Sequence, residues 1–311
     1  MKPLGRWMRR LLPLAVSVIA LGGLFASVDL SKLVDALSWR VAAIVIPGFV
    51  LYGAITLALE TVSIQRLLGR TPVSVSPGTA ARIKCASYLL GIVNYALGVA
   101  ALGVLLQRRA GIRLAEAANV VLLISGLDML VVLSLAAAGL AASGSETPTV
   151  WVVVLAVGGL GFFAGIALLR TSASLGPLER IRSLALFQAL RATPLSRLGQ
   201  VTVLRMLFSC SFVAMAGATF AAFEIVPELS ELVVGILVVA VVSALPIAVA
   251  GLGTGQAAFV YQFQDLASRE ALMAVSLVFS AGMIVLRAGM GLIFAREFTR
   301  EALKETRSSD E

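Results

Sequence analysis

Long apolar runs separated by short polar stretches follow one another along the whole chain. They lie near residues 11–28, 41–63, 85–106, 114–140, 150–169, 201–223, 232–264 and 271–295. An α-helix needs roughly 20 such residues to cross a hydrocarbon layer about 30 Å thick. The pattern therefore predicts an all-α, polytopic helical membrane protein in which residues 1–311 form a single transmembrane domain.

The distribution of charge decides which of these runs cross the bilayer. If all of them crossed, the arginines of 108–113 and 170–197 would lie outside, against the positive-inside rule. If segments 85–106 and 232–264 instead enter the membrane and return, all but three of the 25 basic residues lie at the cytoplasmic side. We therefore predict about six spanning helices and two re-entrant broken-helix segments, in the plasma (inner) membrane, with both termini cytoplasmic.

Both predicted re-entrant segments contain residues that break helices. The first contains Gly98 and Gly103, and the second contains Pro246, Gly251 and Gly253. Non-helical backbone at membrane depth persists only where protein or a wet cavity satisfies its polar groups. A full crossing remains an alternative, because glycine and proline are commoner in membrane helices than in soluble ones.

A weak internal repeat relates the two halves of the chain. YALGVAALG from Tyr95 aligns with LPIAVAGLG from Leu245, and the helices that follow also align. The repeat units would be residues 85–140 and 232–295, in opposite orientations under the preferred topology. Many transporters build a midplane site from such an inverted pair. Chance similarity between apolar segments is the alternative.

Composition excludes several classes of function. The chain is 59% hydrophobic and 14% charged, and its net charge of +8 comes from arginines at the ends of apolar runs, so nucleic acid is not an expected partner. It has no histidine, which removes the usual zinc ligand and neutral-pH proton carrier. No nucleophile elbow, phosphate loop, paired-carboxylate motif or metal cluster appears. We expect neither enzyme activity nor a cofactor or metal.

Charged residues within the apolar runs are the main candidates for function, because each costs about 2.5–3.5 kcal/mol on insertion scales. Asp128 lies near mid-bilayer, where it is either half of a structural ion pair or part of a translocation path. Arg287 lies deep enough to pair with it. Arg205, about one turn inside its helix, can snorkel to the surface, and Glu60 is expected at the interface.

Four uncharged polar residues, Asn94, Tyr95, Gln256 and Tyr261, lie in the two predicted re-entrant segments. They either satisfy backbone groups freed by the bends or face a passing polar group. The predicted substrate path therefore consists of Asn94, Tyr95, Asp128, Gln256, Tyr261 and Arg287.

The chain resembles the transmembrane, flippase-like domain of lysylphosphatidylglycerol synthases and its stand-alone relatives. NYALGVAALGVLLQRRAGIR, residues 94–113, is similar to that family's first re-entrant segment with its basic turn. Asp128 matches a family aspartate, Pro246 with GLG at 251–253 resembles the second re-entrant segment, and Arg287 resembles a late arginine. The resemblance implies movement of a lipid across the membrane.

The chain also departs from the family pattern. Val99 and Leu102 stand where the family usually has an acidic residue and an arginine, Ser125 replaces an arginine, and Gln256 replaces a glutamate. The head group is therefore not carried over. The 311 residues leave no room for the aminoacyl-transferase domain, so no synthase activity is expected.

Two functions remain in competition. In the first, the protein is a membrane lipid or lipid-linked glycan translocase, and its partners are membrane lipids. In the second, it is a non-transporting accessory subunit of a lipid- or polysaccharide-modifying enzyme. A wet cavity that reaches Asp128 would favour the first.

Overall fold

A computed structural model describes residues 38–68, 75–93, 95–142, 193–244 and 253–308, with a few isolated positions between 164 and 176. The side chains of the last helix are described as far as Phe294. The fold is all-α, as predicted. In chain order the helices of these ranges are α1 Trp39–Leu68, α2 Pro77–Val93, α3 Tyr95–Ala110, α4 Leu114–Ala142, α5 Leu195–Ala222, α6 Leu229–Ala244, α7 Thr254–Gln262 and α8 Arg269–Ser308.

Four of these helices, α1, α4, α5 and α8, are long and apolar enough to cross a membrane. They correspond to four of the six predicted spanning helices. The other two predicted spans, 11–28 and 150–169, lie outside the residues that the structure describes. The long apolar runs of the sequence were therefore a sound guide to the spanning helices that can be compared.

The first predicted re-entrant segment is a helical hairpin of α2 and α3. A Cβ atom on Gly98 would lie 2.6 Å from Cα of Gly91, so the two glycines are in contact. In one straight helix they would be about 10 Å apart. The chain therefore turns back near residue 94, which itself lies outside the described residues, and Gly98 permits the close approach. At Gly103 there is room for a side chain, because a Cβ atom there would lie 3.8 Å from Val121.

The second predicted re-entrant segment also folds back on itself. Gly235 of α6 contacts Phe263 just after α7, whereas Ser243 near the end of α6 contacts Gly255 at the start of α7. This reversed order makes α6 and α7 antiparallel. Residues 245–252, which include Pro246 and Gly251, lie outside the described residues. Gly253, the N-cap residue of α7, has a φ of 91°, a conformation that favours glycine.

The two ends of the helix bundle carry opposite charge. α1 and α5 run antiparallel, because Arg40 pairs with Glu224 at one end and Arg66 Nη1 donates to Gln200 Oε1 over 3.3 Å at the other. We call the end near Arg66 the basic end and the end near Glu224 the acidic end. The basic end also carries Arg108, Arg109, Arg113 and Arg197, and the acidic end also carries Glu228, Glu231, Asp265 and Glu270.

Each hairpin packs against the long helix of the other half of the chain. A Cβ atom on Gly291 of α8 would meet Leu89 of α2 at 2.5 Å, and one on Gly139 of α4 would meet Val234 of α6 at 2.8 Å. α2 thus lies on α8, and α6 lies on α4. If α1, α2, α3 and α4 are taken as equivalent to α5, α6, α7 and α8, each packed pair of helices has an equivalent packed pair.

The main apolar core lies between α1, α5, α6, α7 and α8. Towards the acidic end, the Phe220 ring stacks on that of Phe259 at 5.2 Å, and Phe263 meets Phe220 edge-on at 4.9 Å. All three rings are almost fully buried. This aromatic packing fills the acidic end of the bundle, while the buried Glu60 and Arg205 side chains lie towards the basic end.

A buried charge cluster as the candidate functional site

Four charged side chains from four different helices meet inside the bundle. They are Glu60 of α1, Lys84 of α2, Asp128 of α4 and Arg205 of α5. Glu60 Oε1 lies 3.0 Å from Lys84 Nζ and 3.1 Å from Arg205 Nη1, and Asp128 Oδ1 lies 3.6 Å from the same Nη1. We call these four residues the charge cluster. It joins helices from both halves of the chain.

Arg205 is the centre of the charge cluster. Its side chain is fully buried, its Nη2 donates a hydrogen bond to Ser63 Oγ over 2.9 Å, and its guanidinium lies 5.1 Å from the centre of the Phe208 ring. Its Nε atom makes no hydrogen bond, and its Nη1 atom is engaged by the Glu60 carboxylate at 3.1 Å. A buried cation with unused donors is costly unless oxygen atoms or negative charge surround it. Arg205 therefore retains hydrogen-bonding capacity for another acceptor.

Glu60 is shared by the two cations. One carboxylate oxygen, Oε1, faces both Lys84 and Arg205, while Oε2 makes no hydrogen bond. The Lys84 ammonium also lies 5.3 Å from the centre of the Tyr88 ring, within the range of a cation–π interaction. Only 4% of the Glu60 side chain and 13% of the Lys84 side chain are exposed. Glu60 is thus held in place by two opposite charges.

Asp128 is the open member of the charge cluster. Its side chain is 27% exposed, and its distance of 3.6 Å from Arg205 is longer than a hydrogen bond. On α3, Tyr95 lies within hydrogen-bonding reach of Ser125 and close enough to feel the charge of Asp128, one turn further along α4. Tyr95 is half exposed. Asp128 and Tyr95 together form the side of the cluster that faces outward from the protein interior.

The charge cluster lies well inside the spanning helices. At a rise of 1.5 Å per residue, Glu60 is about 12 Å from the end of α1, Arg205 about 15 Å from the beginning of α5, and Asp128 about 21 Å from the beginning of α4. These helix ends all belong to the basic end. At such depths a charge cannot be satisfied by bulk water alone, so the four residues depend on one another.

Three predictions about individual charges were wrong. Glu60 is not interfacial but buried, because Lys84 and Arg205 compensate its charge. Arg205 does not snorkel, because Glu60, Ser63 and Asp128 hold it inside. The partner of Asp128 is Arg205 and not Arg287.

Arg287 instead lies close enough to Tyr52 and Tyr88 to act on both hydroxyl groups electrostatically. Within the described part of the chain it forms no ion pair with Asp128. It nevertheless lies on the same side of the bundle as the charge cluster, since Tyr88 is the aromatic partner of Lys84.

The remaining predicted path residues divide between two places. Tyr95 lies beside Asp128, and Asn94 lies outside the described residues. Gln256 is buried in the second hairpin, where its Oε1 accepts the Gly253 N–H over 2.6 Å and its Nε2 donates to Ser280 over 3.2 Å. This is the local role weighed as the alternative: Gln256 fixes the start of α7 against α8.

Tyr261, also in the second hairpin, is 73% exposed. It lines an open cavity of about 280 Å³ at the acidic end, together with Gln264 and Arg269. The structure therefore brings Tyr95 and Asp128 together at the charge cluster, and it places Gln256 and Tyr261 elsewhere.

Lys84, Arg205 and Ser63 are the site residues that the sequence did not identify. Ser63 follows Glu60 by three residues and so shares its helix face, which is a signal that the sequence contains. Lys84 and Arg205 belong to helices far apart in the chain, and their meeting depends on packing. A charge inside an apolar run was the available signal, and it applied to Arg205, about one turn inside its run, as well as to Asp128.

The fold and the charge cluster define a class: a polytopic helical membrane protein whose spanning helices enclose a network of ion pairs. Residues 10–289 match the family model described as the lysylphosphatidylglycerol synthase TM region, and the chain belongs to this family. The resemblance drawn from the sequence is thereby confirmed. No curated protein matches the chain. Membership places the protein among membrane proteins of lipid-related processes.

Proposed function

We propose that this protein is a flippase-like translocase that moves the polar head group of a membrane lipid or lipid-linked glycan through the bilayer. The charge cluster carries this proposal: four charged side chains lie deep in the bundle, and one of them, Asp128, is partly open. The acyl chains would remain in the bilayer while the head group passes along Asp128 and Tyr95.

The physical need for such a site is the cost of a bare head group in hydrocarbon. An uncompensated polar group costs several kcal/mol there, and an isolated charge costs far more. Arg205 keeps Nε free of hydrogen bonds, and Glu60 Oε2 is equally free. These unused donors and acceptors can replace part of the water that a head group loses, which lowers the barrier to crossing.

The two hairpins provide the moving parts of an alternating-access mechanism. We propose that the units 85–140 and 232–295, extended by α1 and α5, form an inverted repeat with two re-entrant hairpins. The antiparallel course of α1 and α5 and the exchange of hairpins between the halves support this. Rocking of one half against the other would open the charge cluster first to one side and then to the other.

The proposal includes an orientation for the protein in the membrane and assigns it no chemical reaction. We place the basic end at the cytoplasm and the protein in the plasma (inner) membrane, because cytoplasmic loops carry the excess of arginine and lysine. We assign no catalytic role to the charge cluster, since its two carboxylates are already engaged by Arg205 and Lys84. The protein would move lipid without changing it chemically.

Reconstitution tests the translocase proposal. Purified protein in liposomes is given a panel of fluorescent anionic, zwitterionic and glycosylated lipids, and chemical quenching from outside measures exchange between leaflets. We expect Asp128→Ala to reduce the exchange at least tenfold with unchanged helix content by circular dichroism. Asp265→Ala removes an exposed aspartate at the acidic end and serves as the matched control, with exchange unchanged.

The accessory-subunit function is the alternative outcome of this experiment. If no lipid of the panel moves and a pull-down from native membranes recovers a lipid- or glycan-modifying enzyme in stoichiometric amount, the accessory function replaces the translocase. The charge cluster would then be a structural ion-pair network only. Exchange that Asp128→Ala leaves intact would also contradict the proposed path.

A further inference from the structure

The charge cluster has no spare charge. Lys84 and Arg205 are its cations, and Glu60 and Asp128 are its anions. A lipid phosphate diester brings one further negative charge. Arg205 is the cation that can receive it, since its Nε still lacks a hydrogen bond, while its Nη1 already lies 3.1 Å from Glu60 Oε1. Docking of a singly anionic head group would therefore leave one uncompensated negative charge deep in the bundle.

Only one carboxylate can give up its charge at low cost. Glu60 is 4% exposed and faces two cations at 3.0 and 3.1 Å. Asp128 is 27% exposed and faces one cation at 3.6 Å, with Oδ1 free of hydrogen bonds. A head-group phosphate that binds Arg205 would displace Asp128 from it. Protonation of the displaced carboxylate then restores neutrality.

We infer that Asp128 takes up one proton whenever a singly anionic head group occupies the charge cluster, so that lipid and proton cross the bilayer together. This inference rests on the proposed translocase function. The head group brings one negative charge and the proton one positive charge, so the transported pair is neutral. Both come from the side to which the cluster is open, and both leave on the other side.

The groups around Asp128 agree with this assignment. From the helices packed on α4, it faces Arg205 of α5, Glu60 of α1 and Tyr95 of α3, and Lys84 of α2 lies behind Glu60. α6 contributes only Glu231, in its first turn at the acidic end. Among the described residues Arg205 is the one cation in direct contact with Asp128, and Arg287 acts on the neighbouring Tyr95. A phosphate that occupies Arg205 therefore removes the main reason for Asp128 to stay ionised.

A zwitterionic lipid provides a built-in comparison. Its head group carries its own cation beside the phosphate, so its docking adds no net charge to the cluster. Its passage requires no proton. Anionic and zwitterionic lipids share the same phosphate but should differ in their proton requirement. Comparing them distinguishes proton coupling from a general effect of pH on the protein.

The experiment uses the full-length protein in vesicles whose membrane potential is clamped by potassium and valinomycin. The probes are fluorescent phosphatidylglycerol, which is singly anionic, and fluorescent phosphatidylcholine, which is zwitterionic. With a pH difference across the membrane, we expect phosphatidylglycerol to accumulate in the leaflet facing the alkaline side, by about tenfold per pH unit for one proton per lipid. Phosphatidylcholine that exchanges should distribute evenly.

Variants assign the effect to Asp128. In Asp128→Asn, whatever phosphatidylglycerol exchange remains should respond to membrane potential and no longer to the pH difference. Asp128→Glu keeps a titratable carboxylate and should keep the pH response. If Asp128→Asn has no exchange left, the wild-type and Asp128→Glu distributions decide the question by themselves.

Two results would overturn the inference in different ways. Phosphatidylglycerol that exchanges through the wild-type protein but distributes evenly at every pH difference shows that no proton accompanies it, while the translocase function stands. Absence of exchange for every lipid of the panel overturns the translocase proposal, and proton coupling falls with it.

Discussion

Replacing Glu60 with glutamine removes the charge that Lys84 and Arg205 share. Glutamine has nearly the same volume and still offers an oxygen to Lys84, so the change removes charge and little packing. The charge cluster then passes from neutral to singly positive. Asp128, at 3.6 Å from Arg205 and on its open side, is left as the sole compensating carboxylate of the cluster.

The expected cost follows from burial. Removing one partner of a buried ion pair typically costs 3–5 kcal/mol, because the other charge stays behind without compensation. Arg205 is fully buried and cannot reach water, whereas Lys84 is 13% exposed and can partly do so. We therefore expect Glu60→Gln to lower the free energy of unfolding by about 3 kcal/mol, at the lower end of that range. Adding Lys84→Met restores neutrality and should recover about half of the loss.

Reversible unfolding by SDS in mixed micelles measures these differences. Glu116→Gln is the matched control, because Glu116 pairs with Arg113 at 2.7 Å but Arg113 is 84% exposed. An exposed pair contributes at most about 1 kcal/mol. If Glu60→Gln costs no more than Glu116→Gln, the four residues do not form an energetically coupled buried network.

Three further predictions concern pairing, packing and orientation. The cost of the double change Asp128→Asn with Arg205→Gln should fall below the sum of the two single changes by at least about 1 kcal/mol in the same unfolding assay. Asp128→Asn and Arg287→Gln should instead be additive within about 0.5 kcal/mol. The reverse pattern would mean that Arg287, and not Arg205, is the partner of Asp128. Gly98→Ala should destabilise by about 1–3 kcal/mol, since its Cβ would press on the Gly91 backbone at 2.6 Å, while Gly103→Ala should be neutral or stabilising; equal effects would mean that the hairpin is not tightly packed there. In a chain without native cysteines, a cysteine at Glu228 should react with an external thiol reagent, and one at Arg109 should react only after the membrane is opened; external labelling at Arg109 would contradict the placement of the basic end at the cytoplasm.

The apolar runs predicted the fold well because a membrane imposes a simple rule on sequence. A spanning helix must be long and apolar, and α1, α4, α5 and α8 satisfy this requirement. The glycines of the first hairpin also indicated where the chain folds back, since a close helix crossing such as Gly91 on Gly98 leaves no room for a side chain. These features are local, so the sequence displays them directly.

The charge cluster could be predicted only in part because its geometry is not local. Asp128 was identified by its depth in one helix, but its partner depends on how α4 and α5 pack. Arg205 and Arg287 are both arginines inside apolar helices, and the greater depth of Arg287 in its own run favoured the wrong partner. Glu60 was misjudged because depth alone was considered, whereas its surroundings include two cations from other helices.

The reach of the charge cluster across both halves of the chain has a consequence for biogenesis. Glu60, Lys84 and Asp128 are translated before Arg205, which trails Asp128 by roughly 80 residues, or about 4–16 s at common elongation rates. During that interval the first half carries one more buried carboxylate than cations to balance it. We therefore expect quality-control proteases to degrade a nascent or truncated first half. This susceptibility should end when α5 inserts and Arg205 joins the charge cluster.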